Sequence, residues 1–541
     1  MKRVAQLVLN LFSRKVHVSW LIAAVCVGIL IGTVLSFALG NGVFSLPIFL
    51  IFAIVSAALA LVSRLRIMII LAVVAGILFG LWRGTLVAID LTAYDEWLGK
   101  NVVLRGKVSA DPDYSSSLEL RLRLVDVEII ATEEYEFLSS EGKDFEQYLT
   151  EVPGQVWVST RTAGDEIKRS DVVEVGGTLR AGFGTFPASI SFASIREISR
   201  SLGADPMRDL RDNFRGQLAK VIDEPELNLG MGILAGQKTA LPADLAAAFI
   251  AASLTHIVVA SGYNLMILVR LARRLFAKIS RFAALVLGGG LIICFAGVTG
   301  FSPSMTRAAL VAGLSLVAWY YGRKFHPITL IFLVAAITVV ANPMVIIGDV
   351  GWWLSFTSFV GVIILALLIK NYFWGQEKIF GIPFIQRIKF GLRKFFKKSS
   401  VEPEKSEKQF NIRQIFIETM SAQVMAMPII MLTMGQFSPY GLLSNLLVLP
   451  LIPLTMLTTF VAGMSAFFLP LALAQIIAVP AELLLGWVIG VANWAVELPG
   501  ATQNISISLM TCVVIFIVIL LIIFYLKRKT NHNFYGDNVI E

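Results

Sequence analysis

The chain reads as a polytopic α-helical membrane protein of about 12 spans that holds one β-barrel domain outside the bilayer. Three observations predict this. Hydrophobic residues make up 56% of the 541 positions and the mean hydropathy is +0.76, more apolar than soluble domains. Apolar runs of bilayer length follow one another along most of the sequence. One island, residues 90–228, breaks the pattern with 26 acidic and 16 basic residues, while the rest carries 11 acidic and 30 basic. The net charge of +9 therefore hides balances of −10 and +19, a split that the positive-inside rule explains better than a nucleic-acid surface does.

At the N-terminus Lys2, Arg3, Arg14 and Lys15 favour a cytoplasmic start. The apolar run behind them is too long, and too soon followed by two more, to be a cleaved signal. Spans are expected near 18–39, 43–62 and 66–89, with Arg64 and Arg66 keeping the second turn inside. Gly28 with Gly32 and Gly76 with Gly80 form GxxxG pairs that predict close helix packing. This N-terminal membrane region, residues 1–89, delivers the acidic island to the outside.

Residues 90–200 read as β. Val102–Val108 is one strand, and Leu118, Leu120, Leu122 and Leu124 alternate with polar residues at period two. Val156 and Val158 mark a third strand, Val172–Leu179 a fourth with a bulge or bend expected at Gly176-Gly177, and Ile190–Ile198 a fifth. Five short strands suit an OB-like barrel. Such barrels often bind single-stranded nucleic acid, although a fold alone does not prove it. Arg105, Lys107, Arg121 and Arg123 are the candidates for DNA contact, in competition with many acids. The acidic insert Glu133–Glu151 is expected to loop away from the barrel. All three cysteines (Cys26, Cys294, Cys512) fall in apolar spans, so no disulfide staples this domain.

In residues 201–228, Leu210, Phe214, Leu218, Val221 and Ile222 recur at helical spacing, with Arg208, Arg211 and Arg215 elsewhere. That pattern suits an amphipathic connector helix lying on the outer membrane surface, or equally one packed between barrel and membrane. A second membrane region, residues 229–526, follows. Its first stretch contains Thr255, His256, Ser261, Gly262 and Asn264 among apolar neighbours. Polar residues at bilayer depth are costly unless they face protein or water. Two readings stay open: a membrane helix opened at Ser261-Gly262 with His256 and Asn264 facing an interior, or small residues that let helices pack closely.

Further spans are expected near 282–300, 304–321, 326–342 and from Asp349 to Lys370, with Arg270, Arg273, Arg274, Lys278, Arg281, Arg323 and Lys324 inside. The stretch 370–413 has 11 basic and 4 acidic residues and should be cytoplasmic. Its Lys389–Lys398 cluster suits anionic membrane lipid or an intracellular partner. The last spans run near 414–434, 440–468, 471–497 and 505–526, before a cytoplasmic tail at 527–541. Pro450 and Pro453 should kink their helix. Glu482 lies mid-span and is expected to pair with a basic residue.

Several of these elements resemble the ComEC family, the inner-membrane DNA channels of bacterial natural competence. The entry Ile233-Leu234-Ala235-Gly236-Gln237-Lys238-Thr239-Ala240-Leu241 and the core Ser253-Leu254-Thr255-His256-Ile257-Val258-Val259-Ala260-Ser261-Gly262-Tyr263-Asn264 match its signature, with Asn264 where a second histidine is usual. Ser304-Met305-Thr306-Arg307-Ala308, Asp349-Val350-Gly351-Trp352-Trp353-Leu354-Ser355-Phe356 and Asn445-Leu446-Leu447-Val448-Leu449-Pro450 resemble its other elements, in the family's order. The resemblance implies a plasma-membrane channel for single-stranded DNA in a bacterium, with an OB-like domain outside. It also implies a path lined by His256, Ser261, Gly262, Asn264, Arg307, Ser355 and Asn445. Partners would be a DNA receptor outside, a separate motor and DNA-binding proteins inside, and a separate nuclease.

Many family members continue into a metallo-β-lactamase-like nuclease domain, which is not expected here. The four histidines (His17, His256, His326, His532) are scattered, so no clustered metal motif forms and no cofactor is expected. No phosphate-binding loop signature occurs either, so neither nuclease nor ATPase activity is expected. The alternatives are a transporter of another anionic polymer or solute, and an intramembrane hydrolase using Ser261 and His256. For the hydrolase, five residues' separation is not one helix face and no third catalytic member is evident.

Overall fold

A computed structural model describes residues 15–39, 42–114, 119–141, 146–161, 167–200, 203, 205–237, 242–258, 262–322, 326–374 and 412–530. The expectations for Lys2, Arg3, Arg14, Ser261, Arg323, Lys324, the Lys389–Lys398 cluster and His532 fall outside these residues.

Three helices come first: α1 (Val18–Leu39), α2 (Pro47–Ser63) and α3 (Met68–Leu91). The GxxxG pairs do what their spacing predicts. A Cβ on Gly28 would overlap the Val73 carbonyl, and one on Gly76 the Val25 carbonyl; Gly32 and Gly80 meet Ile77 and Ile29 in the same way. With hydrogen in place of side chains, α1 and α3 touch backbone to backbone.

The barrel follows as β1 (Asn101–Val108), β2 (Asp113–Tyr114), β3 (Leu120–Ala131), α4 (Thr132–Ser140), β4 (Thr150–Val152), β5 (Val156–Thr160), β6 (Val172–Ala181), β7 (Ala188–Ile190) and β8 (Ser194–Ser199). Five strands close a ring in the order β1-β3-β5-β7-β6 and back to β1. Every step is antiparallel except β5 to β7. The period-two residues Leu120, Leu122 and Leu124 point inward with Val102, Leu104, Val156, Val158, Val173 and Val175. The predicted fifth strand is broken in two. Phe192, at φ 58°, ends β7, and β8 continues along β6. A register shift falls between Glu174 and Val175, just before the predicted glycine pair. The acidic insert does not loop away: α4 seats Leu138 on Val103 and Ile130, and β4 pairs with β3. Its apolar residues outweigh its charge because they complete that small cluster.

Beyond the barrel lie α5 (Pro206–Leu218), α6 (Glu226–Ala235), α7 (Ala243–Ala251), α8 (Thr255–Val258) and α9 (Gly262–Phe276). Next come α10 (Arg281–Val298), α11 (Pro303–Tyr320), α12 (Pro327–Ala341), α13 (Val345–Gly348) and α14 (Val350–Val360). A π turn at Gly361–Leu365 joins α14 to α15 (Ala366–Trp374). The remainder is α16 (Ile412–Thr433), β9 (Gln436–Phe437), α17 (Gly441–Val448), α18 (Ile452–Phe468), α19 (Leu471–Glu497), β10 (Gln503–Asn504) and α20 (Leu509–Thr530).

Among the described residues seven helices are long and apolar enough to cross a membrane, or eight if α17 and α18 form one bent span. This is a membrane protein, but the expected 12 spans are not reached. α2 and α12 are apolar yet short; at 1.5 Å per residue they fall below the ~30 Å hydrocarbon thickness. The stretch 226–276 holds four described helices, α6 to α9, and the opening expected at Ser261-Gly262 begins outside the described residues. The proline kink appears as expected, with α17 and α18 meeting at 50°. Glu482 is partly buried and forms no ion pair among the described residues, against expectation.

The barrel sits at one end of the helix bundle. Arg83 of α3 donates to the Val340 carbonyl at 3.0 Å, and Arg169 of the barrel to the Val298 carbonyl at 3.4 Å, so the ends of α3, α10 and α12 gather there. At the opposite end Thr329 donates to the Ser19 carbonyl at 3.0 Å.

Candidate functional site

The connector α5 decides between its two readings. Arg208 and Arg211 are 3% and 4% exposed, while Leu210 is 55% exposed. The helix is therefore packed, and its arginines form the inward face. Asp205 caps α5 by accepting from the Arg208 amide at 2.9 Å and takes two bonds from Arg169, at 2.6 and 3.1 Å. Arg208 donates to the Arg169 carbonyl and to Asp209, and Arg211 to Asp111 and Asp212. Lys168 reaches Asp212 at 3.0 Å, and Arg200 grips Asp171 at 2.6 and 2.8 Å. Burial alone would raise the carboxyl pKa of Asp171, Asp205 and Asp212. Hydrogen bonds from Arg200, Arg169 and Lys168, with the neighbouring cationic charges, outweigh it and hold all three below the ordinary carboxylate value. On the membrane side Met207 packs on Gly297, and Phe214 on Gly463, Phe460 and Phe467.

The four basic barrel candidates separate into two pairs. Arg105 on β1 lies in register with Glu128 on one side and Glu174 on the other, an acid-flanked position, and Lys107 follows it on the same strand. Arg121 and Arg123 on β3 share the opposite surroundings. The Arg121 guanidinium lies 5.8 Å from the Trp157 ring and that of Arg123 lies 5.7 Å from the Phe186 ring. Trp157, Phe183 and Phe186 form a mutual cluster at 5.2 to 5.7 Å, with Phe183 53% exposed. Cationic guanidinium planes interleaved with partly exposed aromatic rings suit stacking of nucleobases beside phosphates. Sequence reading missed the aromatic half of this face. Phe183 and Phe186 flank a loop, and only Arg123 opposite Trp157 in the β3–β5 register brings them together.

That loop also seats the barrel. A Cβ on Gly348, the last residue of α13, would overlap the Gly184 backbone. One residue on, Asp349 accepts from Arg307 at 3.1 Å, and Arg307 also donates to the Gly351 carbonyl at 3.0 Å. Arg307, at 6% exposure, is thus a buried cation paired with Asp349, and its Nε has no hydrogen-bond partner among the described residues. Asp349 was the missed residue; its signal was a lone acid beside glycine at the head of an apolar run. A separate cleft of about 680 Å³ between barrel and membrane ends is lined by Asp90, Asp126, Glu128 and Glu151 with Arg83. Four acids against one base make it a poor seat for phosphate.

Of the other predicted path residues, Gly262 lies beside the helix that carries Arg307, and the rest lie on separate elements. Asn264 is buried and donates to the Ile233 carbonyl at 2.9 Å, tying α9 to α6. His256, on α8, keeps an accessible side chain although protein surrounds it densely, as a residue on the wall of an internal space does. Gly262 starts α9, where a Cβ would lie 3.0 Å from Ala308 of α11. Ser355 is half-buried on α14. Asn445 is 6% exposed on α17, and its Oδ1 has no hydrogen-bond partner among the described residues. A buried acceptor in that condition costs about 1–3 kcal/mol.

No curated protein and no solved structure matches the chain. The Competence family, described as "Competence protein", matches residues 233–530, more than half of the sequence and all of the membrane part from α6 onward except its first turns. The chain belongs to the Competence protein family.

Proposed function

We propose that this protein is a plasma-membrane channel that admits single-stranded DNA during natural transformation of a bacterium. The family ties it to competence and DNA uptake. The observation that carries the channel reading is the seating of the arginine–aromatic barrel face. The loop holding Phe183 and Phe186 rests on Gly348, so a strand stacked there would lie at the mouth of the membrane part. In this reading the five-stranded ring is an OB-type barrel outside the cell, and both termini are cytoplasmic. An external receptor hands over DNA, and a separate nuclease makes the single strand. A separate motor and DNA-binding proteins draw it in, since the chain itself neither cuts DNA nor hydrolyses ATP.

The test is transformation frequency in a deletion strain complemented with the full chain, with membrane abundance measured alongside. Trp157→Ala combined with Phe183→Ala should lower transformation about tenfold or more at normal abundance, from the loss of ~1–3 kcal/mol per stacked base. Undiminished transformation in the deletion strain itself would remove the reading altogether.

A further inference from the structure

The broken segment α6–α8 stands between two groups of buried oxygens that are not hydrogen-bonded by the described residues. On one side, a Cβ on Gly441 of α17 would meet Ser253, in the loop between α7 and α8, at 2.6 Å and the Gln423 side-chain amide of α16 at 3.3 Å. Gln423 Oε1 has no partner there, and neither has Asn445 Oδ1, four residues beyond Gly441 on the same helix face. On the other side, a Cβ on Gly230 of α6 would meet Thr459 of α18 at 3.1 Å; Thr459 is 1% exposed and its Oγ1 is also without a partner. Gln237 Oε1, just past the end of α6, is a fourth. Hydrocarbon cannot satisfy such groups, so in a membrane they are either enclosed by protein or face water, and an acceptor that protein leaves unpaired points to water.

We infer that Gln237, Gln423, Asn445 and Thr459 line a hydrated, uncharged passage along α6–α8, and that the bases of a single-stranded nucleic acid contact its acceptor oxygens. The inference rests on the DNA-channel reading and adds the chemistry of its walls. Three of the four orphan atoms are amide carbonyl oxygens, which only accept hydrogen bonds. These oxygens gain nothing from a phosphate oxygen, whereas the NH2 groups of the same side chains donate to acceptors on phosphate and base alike. The oxygens do accept from water and from the amino and imino N–H groups on base edges. An uncharged lining also leaves a polyanion free to move, where a cage of fixed cations would hold it.

The test uses the full chain in nanodiscs, with Cys26, Cys294 and Cys512 replaced by alanine. Asn445→Cys and Thr459→Cys are treated with a small, charged thiol reagent. The controls are Ala481→Cys, at a 0% exposed position of the apolar core, and Ile517→Cys, at a 50% exposed position on the outer face of α20. Both test thiols should react about tenfold faster than either control, because reaction requires a water-solvated thiolate. A single-stranded oligonucleotide should slow modification at Asn445→Cys, and a duplex should not. Reaction no faster than at Ala481→Cys, in protein that elutes as one folded species, overturns the hydrated passage. Fast reaction that single strands leave unchanged overturns the base contact. Thiol access is read without any uptake assay. A dry lining therefore sinks this inference and leaves the channel reading to be judged by transformation frequency.

Discussion

The barrel–connector junction and the α16–α18 seam both bury polar atoms and treat them in opposite ways. At the junction Arg169, Arg208 and Arg211 are almost wholly covered, and each is met by a carboxylate or carbonyl. At the seam Gln423, Asn445 and Thr459 are covered too, and each keeps an oxygen without a partner among the described residues. Burial of a polar group therefore says little until its partners are counted. A saturated network fixes two bodies against each other, whereas an unsaturated one marks a place that something else must fill.

Breaking the saturated side should cost most. Arg169→Ala strands Asp205 in a half-buried site and should destabilise the junction by about 3–5 kcal/mol. Thermal unfolding of the purified chain would register this, and unchanged melting would mean the network is ornamental. Next comes the Arg307–Asp349 pair. Arg307→Ala and Asp349→Ala should each cost about 2 kcal/mol, and the double variant clearly less than their sum. Additive losses in that cycle would show that Arg307 acts elsewhere. Smaller still is Asn445→Leu, which removes an orphan acceptor and should shift stability by less than about 1 kcal/mol while lowering transformation. A large drop in melting temperature would move Asn445 to the saturated class.

The smallest effect concerns pH. Asp171, Asp205 and Asp212 have depressed folded-state pKa values, so their stabilisation is complete above the ordinary aspartate value of 3.8 and is lost as pH falls through the lower folded values. Melting of the barrel with its connector should be flat in this contribution from about pH 5 to 8 and fall only below about pH 4. A titration centred near neutrality would point to a different group.

How much the sequence disclosed follows the range of the forces involved. GxxxG spacing, period-two leucines and Pro450 act locally, and the elements they announce are present. The Arg307–Asp349 pair joins residues from different helices, and the stacking of Arg123 with Phe186 depends on where β3, β5 and a loop meet. Neither leaves a local pattern. The connector misled by half because arginine's spacing is the same whether it faces water or a buried aspartate. Residues 226–258 promised a span because they are apolar. Their cutting into α6, α7 and α8 falls at Gly236, which caps α6 in the left-handed region, and around Ser253 at φ 53°, breaks that hydropathy cannot register. Gln423 and Thr459 drew no notice among their apolar neighbours.

The backbone lock between α1 and α3 has a mechanical corollary. Gly28, Gly32, Gly76 and Gly80 each nest against a carbonyl of the opposite helix, so neither helix can slide along or roll on the other without a steric collision. α3 runs on into the barrel, which makes α1, α3 and the barrel root a single stiff lever anchored on one flank. Relative movement is then confined to elements outside this unit, such as the 50° bend between α17 and α18.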